Sequence, residues 1–355
     1  ADIREEQSFK AMISCMLLII LMTIPFAIQE TITGRPIIIE TIRKIPGLSS
    51  EPIVTYDKRW GLERVQVMLA HPIHYGMFCS AAFSLVFVGL KGTIRGSRRI
   101  MASLAILTGV FLSLSSGALL SIVLQFAIIF WAWTLNMVKT RWVLLIGFLI
   151  MAYVMVDLLS NRAPLSVFMS YATFSAHNAY YRSIIFEWGM YNVWNNPIFG
   201  LGFNDWVRPS YMHSGSMDNF WLVMAVRYGI PGFLILTAGY FWALWRVALH
   251  HFEEHTPIWR LRRGWIFTFI GLTFTLATVH IWTTAYSFIF FLFGAGMWFI
   301  TTEVQKNNPA ISKVSGTSKS QNHALNRSRT EGNNPAAAKT SHKQTASSQS
   351  KYTRF

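Results

Sequence analysis

The stretch YYRSIIFEWGMYNVWNNPIFGLG, residues 180–202, interrupts a series of long apolar segments and decides how the chain folds. Its apolar residues recur at helical spacing: Ile184, Ile185, Trp188, Tyr191 and Trp194. This pattern predicts a helix over Tyr180–Trp194 that lies in a membrane interface. Asn195-Asn196-Pro197 should end that helix, and Gly200 and Gly202 allow the tight turn that follows.

Apolar segments long enough to cross a bilayer surround this stretch. Of the 355 residues, 52% are hydrophobic and 13% are charged, whereas soluble domains carry roughly 25% charged residues. A membrane helix needs about 20 mostly apolar residues. Eight segments qualify: Ala11–Gln29, Ile73–Leu90, Ile100–Ser116, Leu119–Asn136, Trp142–Leu159, Phe220–Leu244, Trp265–Thr284 and Ser287–Thr302. We therefore predict an all-α polytopic membrane bundle of about eight helices, with the interfacial helix in a large loop.

The net charge of +15 is distributed unevenly between the loops. Basic residues fill the short loops at 91–99, 139–141 and 246–263 and the tail after Thr302. The two long loops have nearly balanced charge. By the positive-inside rule, the basic loops and the C-terminus lie in the cytoplasm and the long loops face outward. Nucleic-acid binding is the poorer interpretation of the charge, because no basic folded domain is present.

These features predict a membrane domain, 1–302, with outer loops 31–72 and 161–218. The tail 303–355 is rich in Ser, Thr, Asn, Lys and Ala, a composition that cannot build a core, so we predict a disordered basic tail. Cys15 and Cys79 lie in apolar segments and are expected to be core hydrophobes. The chain begins at ADIREEQSFK without an initiator methionine or a signal peptide, so we expect further helices upstream.

Four arginines lie where an anionic headgroup would bind. Arg182 begins the interfacial helix and could clamp a pyrophosphate, because a planar guanidinium suits that group better than an ammonium. The alternative is a pair with Glu187 or with lipid phosphate. Arg227 sits about two turns into an apolar helix, where an ionisable group is costly, unless it snorkels to the interface. Arg59 and Arg64 lie at the membrane edge ahead of the second helix.

Candidate proton acceptors lie near the same membrane edge. His213, Asp218 and Asn219 cluster where the second outer loop meets the sixth helix. Asp218 could cap that helix or act as a base at the membrane surface. His71 and His74 have the i, i+3 spacing of metal ligands, but no further ligand accompanies them. We expect a structural role for both histidines and no metal site.

Four segments, in order, resemble the O-antigen ligase and polymerase family of bacterial envelope glycosyltransferases. They are RWGLERVQVMLAHPIHYG (59–76), SLSSGALLS (113–121), RSIIFEWGMYNVWNNPIFGLG (182–202) and DNFWLVMAVRYGIPG (218–232). The chain is most similar to the O-antigen or exopolysaccharide polymerase branch. The resemblance implies a GT-C-like fold in the bacterial cytoplasmic (inner) membrane, with the active face in the periplasm.

The resemblance also implies a metal-independent, inverting transfer that uses no cofactor. The donor is a glycan on polyprenyl pyrophosphate, and a sugar hydroxyl attacks its anomeric carbon. Arg182 matches the family arginine that precedes the Pro-Gly turn and would grip pyrophosphate, and Arg64 would assist. The family often has Ser-Arg-Gly at the hairpin, whereas this chain has Ser115-Ser116-Gly117. Arg59, Arg64 or Arg227 would therefore have to substitute for the missing arginine.

Ligases of the family have His-Asn where this chain has Asp218-Asn219. A carboxylate can serve as the base, so Asp218 is the first candidate and His213 the reserve, with Asn219 in substrate binding. We expect a polymerase of lipid-linked repeat units, with a chain-length regulator and a flippase as further partners. The alternatives are a ligase that transfers the glycan to lipid A core and a transporter of an anionic glycolipid. A transporter should place polar groups through the membrane midplane.

Overall fold

The computed structural model describes residues 5–53, 58–160, 176–212 and 215–302, all within the compact unit Ala1–Thr302. These residues form helices and no strands, which confirms the predicted all-α class. The helices are α1 (Glu6–Thr33), α2 (Ile37–Arg43), α3 (Pro72–Ser84), α4 (Gly96–Leu112), α5 (Ser116–Thr134), α6 (Arg141–Leu159), α7 (Ala176–Asn195), α8 (Phe220–Leu249), α9 (Pro257–Leu276), α10 (Thr283–Ala295) and α11 (Trp298–Thr301). The predicted disordered tail lies outside the described residues.

Six helical segments are long and apolar enough to cross a membrane, so the protein is a polytopic membrane protein. They are Glu6–Thr33, Pro72–Gly89, Ser116–Thr134, Arg141–Leu159, Phe220–Leu249 and Thr283–Thr301. The other two predicted segments also form helices. However, α4 has only 17 residues, and α9 carries three arginines in its first two turns.

The predicted span Trp265–Thr284 is wrong at its C-terminal end. Helix α9 stops at Leu276, and Thr278 turns back on Thr275, whose carbonyl accepts both the Thr278 backbone N–H (2.9 Å) and its hydroxyl (3.0 Å). A side chain that bonds its own backbone in this way competes with helix continuation. His280 therefore lies in a connection between helices, outside the spanning segments.

The core forms where α3 packs against α4, α5 and α9. Gln125 of α5 is fully buried there and uses its amide on α3: it donates to the carbonyl of Ser80 (3.0 Å) and accepts from the backbone N–H of Ser84 (3.1 Å). In a regular helix those two backbone groups would bond each other. A short π-helical turn, Leu85–Gly89, follows directly. Gln125 thus satisfies backbone polarity that an apolar environment would otherwise penalise.

The helix predicted over Tyr180–Trp194 is present as α7, which packs against α8. Its position in a membrane interface stays a prediction. Its apolar residues divide between two faces: Ile184 and Ile185 are buried against the protein, whereas Tyr191 and Trp194 are exposed. The helix ends at Asn195, as predicted, and Gly200 (φ 66°) and Gly202 (φ 62°) take the left-handed conformation in the turn that follows.

Helix α8 is broken at Gly229, whose φ of 70° and ψ of 179° are not helical. The turn after α7 docks on this break. Leu201 N–H donates to the carbonyl of Val226 (2.8 Å), and Gly202 N–H donates to that of Arg227 (3.0 Å). In return, Ile230 N–H donates to the carbonyl of Pro197 (2.7 Å). The break therefore fixes Arg227 beside the loop that follows α7.

Candidate active site

The segment 58–71 carries Arg59 and Arg64 across one end of the bundle. A tight turn at Arg59–Leu62 closes with two backbone hydrogen bonds, and Trp60 (φ 53°) and Gly61 (φ 77°) are both left-handed, as a type I′ turn requires. The turn directs Arg59 to the α4–α5 hairpin, where its Nη1 donates to the carbonyl of Leu114 (2.6 Å). Arg59 thus reaches the hairpin that contains Ser115-Ser116-Gly117.

Glu30, near the C-terminal end of α1, holds this segment in place. Its carboxylate is 4% exposed and accepts the backbone N–H groups of Gln66 and Val67, each at 2.9 Å. Val67 has a left-handed φ of 56°, a strained conformation for a β-branched residue. The two charge-assisted bonds stabilise that strained turn. Glu30 is a positioning residue that the sequence analysis missed.

His71 caps α3, because its Nδ1 accepts the backbone N–H of Ile73 (3.0 Å). The pKa of His71 is lowered to about 3, chiefly by burial and then by the charges of Arg64, His74 and Arg59. Trp282 contacts both histidine rings, with centroid distances of 5.8 Å to His71 and 4.2 Å to His74. The cap gives His71 a structural role, as expected.

Arg182 and Asp218 interact across the α7–α8 pair. Burial lowers the pKa of the Arg182 guanidinium, the charge of Asp218 raises it in part, and that of Arg59 lowers it again. The Nη1 of Arg182 is buried and makes no hydrogen bond within the described part of the chain. Three charges from three separate segments therefore act on one another at this end of the bundle.

The cap of α8 is Asn219, whose Oδ1 accepts the backbone N–H of Leu222 (3.1 Å). The interpretation of Asp218 as this cap is therefore wrong, because the following residue already supplies the acceptor. Asp218 instead accepts a hydrogen bond from the Ser216 hydroxyl (2.9 Å). Its half-buried carboxylate raises the pKa of Arg182 through its charge.

A cavity of about 490 Å³ opens next to this cluster. Its walls include the segment 203–206, the first part of α8 and the α9–α10 connection. Arg227 lines it, with its guanidinium over the ring of Phe203 (5.9 Å), and so does His280. The pKa of His280 is lowered to about 4: burial is the largest cause, the charge of Arg227 adds to the effect, and that of Asp218 opposes it. His280 is therefore a neutral imidazole at pH 7, beside a cation and a carboxylate.

The structure brings most of the predicted site residues to one end of the bundle. One interacting group of charges consists of Arg59, Arg182 and Asp218. At the cavity, the charges of Asp218 and Arg227 both act on His280. The residues that line the cavity include the neighbouring Ser216 and Met217 but not Asp218, Arg59, Arg64 or Arg182. His213 lies outside the described residues, so its role stays a prediction.

His280 is a second site residue that the sequence analysis missed. The apolar run from Trp265 to Thr284 hides it, because a run of this length predicts one spanning helix with His280 in its interior. The signal was the sequence TLATVHIW (275–282), whose two threonines precede the histidine. Its buried Nδ1 makes no hydrogen bond to any residue that the structure describes.

Residues 101–237 match the family model described as O-Antigen ligase. The match supports membership of the O-antigen ligase and polymerase family, as the resemblance indicated, and with it a role as a lipid-linked glycan transferase. It covers Arg182, Asp218 and Arg227, whereas Arg59 and His280 lie outside it. No curated protein matches the chain.

Proposed function

We propose that the protein polymerises polyprenyl-pyrophosphate-linked oligosaccharide repeat units at this site. The observation that carries the proposal is the meeting of Arg59, Arg182 and Asp218 from three segments beside a cavity lined by Arg227 and His280. A pyrophosphate needs guanidinium partners, and a glycan needs a cavity with polar groups. The volume of about 490 Å³ is within the usual range for small-molecule sites, roughly 300–1,000 Å³.

In this proposal, a sugar hydroxyl of the acceptor attacks the anomeric carbon of the donor with inversion. The bond between that carbon and the phosphate oxygen breaks, and polyprenyl pyrophosphate leaves with the electron pair. Arg182 and Arg59 stabilise the charge that develops on the leaving group. Asp218 takes the hydroxyl proton as the general base. Because pyrophosphate is already a good leaving group, no metal ion is required.

The site would face the periplasm, where the exposed aromatic residues beside it would contact lipid. Trp194, Phe199 and Phe203 are all exposed around the α7 turn, and aromatic rings are common at the membrane interface. Such a surface would let the polyprenyl chain stay in the bilayer while its pyrophosphate reaches the arginines. The proposed orientation places the C-terminus in the cytoplasm of the cell, and a flippase and a chain-length regulator are the proposed partners.

The second candidate function is ligation of the glycan to lipid A core, because the matched family model is described as a ligase. Both reactions use the same donor and leaving group, so the acceptor separates them. The purified full chain should lengthen the glycan of lipid-linked repeat units in the absence of any other acceptor. Product that forms only after lipid A core is added would contradict the polymerase and support the ligase.

Arg182→Ala should reduce either transfer at least about 100-fold, because a preorganised cation that stabilises developing charge contributes on that order. The matched control is Arg35→Ala, since Arg35 is an exposed loop arginine paired with Glu40 (3.0 Å). The control should retain activity, and both variants should elute and melt like the wild type. Full activity in Arg182→Ala would remove its proposed role.

A further inference from the structure

Three helices begin at the end of the bundle opposite the candidate active site. Helix α5 runs away from the α4–α5 hairpin, and α6 begins shortly after it ends, whereas α4 runs toward that hairpin and α9 toward His280. Arginines lie in the first two turns of α4, α6 and α9: Arg98, Arg99, Arg141, Arg260, Arg262 and Arg263. None of these three helices has an acidic residue in its first turn. Helix N-termini carry partial positive charge and are stabilised by anions, so this arrangement is unfavourable without one.

The arginines at the start of α6 and α9 also repel one another. The pKa of Arg263 is lowered to about 10, chiefly by burial and then by the charges of Arg141 and Arg262, whereas the charge of Glu254 acts in the opposite direction. Arg262 uses its Nη1 to donate to the carbonyls of Ala248 (3.3 Å) and His250 at the C-terminal end of α8. The Nε of Arg263 is buried and, among the described residues, has no hydrogen-bond partner. Part of the donor capacity of this cluster is therefore unused.

The surroundings of the cluster are those of a lipid headgroup region. The guanidinium of Arg263 lies over the ring of Trp259 (4.3 Å), and that of Arg141 lies over Trp142 (5.8 Å). Trp131 donates its indole N–H to the carbonyl of Arg141 (2.9 Å). Indole rings concentrate at headgroup depth. Directly beyond Arg141, α6 has no buried residue, so its apolar side chains are available to acyl chains.

We propose that Arg141 and Arg263 bind the phosphate group of an anionic phospholipid. The phosphate would supply the negative charge that the helix N-termini lack and acceptors for the guanidinium N–H groups. Its acyl chains would lie along α6. A soluble phosphate would satisfy the charge but would not use the indole and apolar surfaces. This site lies away from the proposed active site and does not depend on the proposed function.

Thermal unfolding of the purified full chain in detergent tests this site. Phosphatidylglycerol should raise the melting temperature, whereas phosphatidylcholine and inorganic phosphate at equal phosphate concentration should not. Arg141→Gln and Arg263→Gln should each weaken the apparent affinity for phosphatidylglycerol about fivefold, since each basic residue near an anionic headgroup contributes on that scale. Because repulsion is relieved, neither substitution should lower the melting temperature in the absence of the lipid.

The matched control is Arg246→Gln. Arg246 lies in the last turn of α8, and its guanidinium lies over Trp242 (5.9 Å). Like Arg141 and Arg263, Arg246 contacts a tryptophan ring and lies at this end of the bundle. Unlike them, it lies at a helix C-terminus, where a positive charge is favourable. The control should retain wild-type affinity. An equal loss of affinity for phosphatidylglycerol in all three variants would overturn the proposal. So would a rise in melting temperature with inorganic phosphate as large as that with phosphatidylglycerol. If Arg263→Gln does not fold, Arg141→Gln decides.

Discussion

Asp218 and His280 come together through the backbone rather than through a bond between their side chains. The N–H of Phe220, at the start of α8, donates to the carbonyl of Val279 (3.1 Å). This bond holds the residues just before α8, which include Asp218, against the α9–α10 connection, which carries His280. Each lies next to a cation, Arg182 for Asp218 and Arg227 for His280. Both are therefore candidate bases, and the carboxylate is the one that the arrangement with Arg182 favours.

Asp218→Asn should lower the rate of glycan transfer about 100- to 10,000-fold, the usual contribution of a general base. His280→Gln should retain most of the activity and alter chiefly KM, because His280 lines the cavity. Single-turnover rates with lipid-linked repeat units measure both. Wild-type rates in Asp218→Asn would remove it as the base, and a large loss in His280→Gln would transfer that role to the imidazole.

His71 should make the protein sensitive to acid. Its pKa of about 3 in the folded state lies below the usual value near 6.5, so the unfolded chain binds a proton first as the pH falls. The contribution of neutral His71 is fully present above pH 6.5 and is lost progressively between about pH 6.5 and pH 3. Protonation would also remove the Nδ1 acceptor that caps α3.

His71→Asn keeps a capping acceptor but cannot titrate. Its melting temperature should therefore fall less steeply than that of the wild type between pH 6.5 and pH 3, each pKa unit corresponding to about 1.4 kcal/mol. Melting curves recorded at several pH values give the comparison. Identical slopes for the two proteins would show that another group causes the acid sensitivity.

At the scale of elements, the break in α8 and the turn after α7 form one unit. The turn could be predicted because Asn195-Asn196-Pro197 ends a helix and Gly200 and Gly202 follow it. The break could not be located from the apolar run alone, although Gly229 and Pro231 are both present. It has a local and a tertiary cause: Pro231 lacks the N–H that would bond the carbonyl of Arg227, and the N–H of Gly202 in the turn supplies that bond instead.

Gly229→Ala should destabilise the protein by roughly 3 kcal/mol or more, since the left-handed φ is strained for alanine and steric clash adds to this cost. A Cβ at this position would clash with the carbonyl of Ile198. Gly239→Ala, in the same helix, is the control, because a Cβ there meets nothing within 4 Å. The control should be neutral or slightly stabilising. Equal melting temperatures for both variants would contradict this account of the break.

At the scale of the whole molecule, the all-α class and the membrane character follow from the long apolar segments. The grouping of Arg59, Arg182 and Asp218 does not follow from these segments, because it depends on contacts between residues far apart in the chain. Glu30 reaches Gln66 and Val67, and Arg59 reaches Leu114. Neither pairing has a local pattern that would predict it. The positions of Arg182, Asp218 and Arg227 could be proposed only because their motifs resemble a family.

The early end of α9 shows why an apolar run alone does not define a spanning helix. The run continues through His280, but the threonines before it use their hydroxyls on the backbone and stop the helix. The connection between α9 and α10 then forms one wall of the cavity through His280 and Trp282. The loops, the hairpin and this connection thus meet at one end, where charges from four parts of the chain act on one another.

The most direct test of this account measures the binding of polyprenyl pyrophosphate to the purified full chain. Wild-type protein should bind it more tightly than polyprenyl monophosphate, and Arg35→Ala should bind it equally well. Arg182→Ala should bind it about 10- to 100-fold more weakly, since a hydrogen bond to a charged group contributes roughly 1.5–3 kcal/mol. Equal affinity in the Arg182→Ala variant and the wild type would contradict the claim that this cluster holds the pyrophosphate.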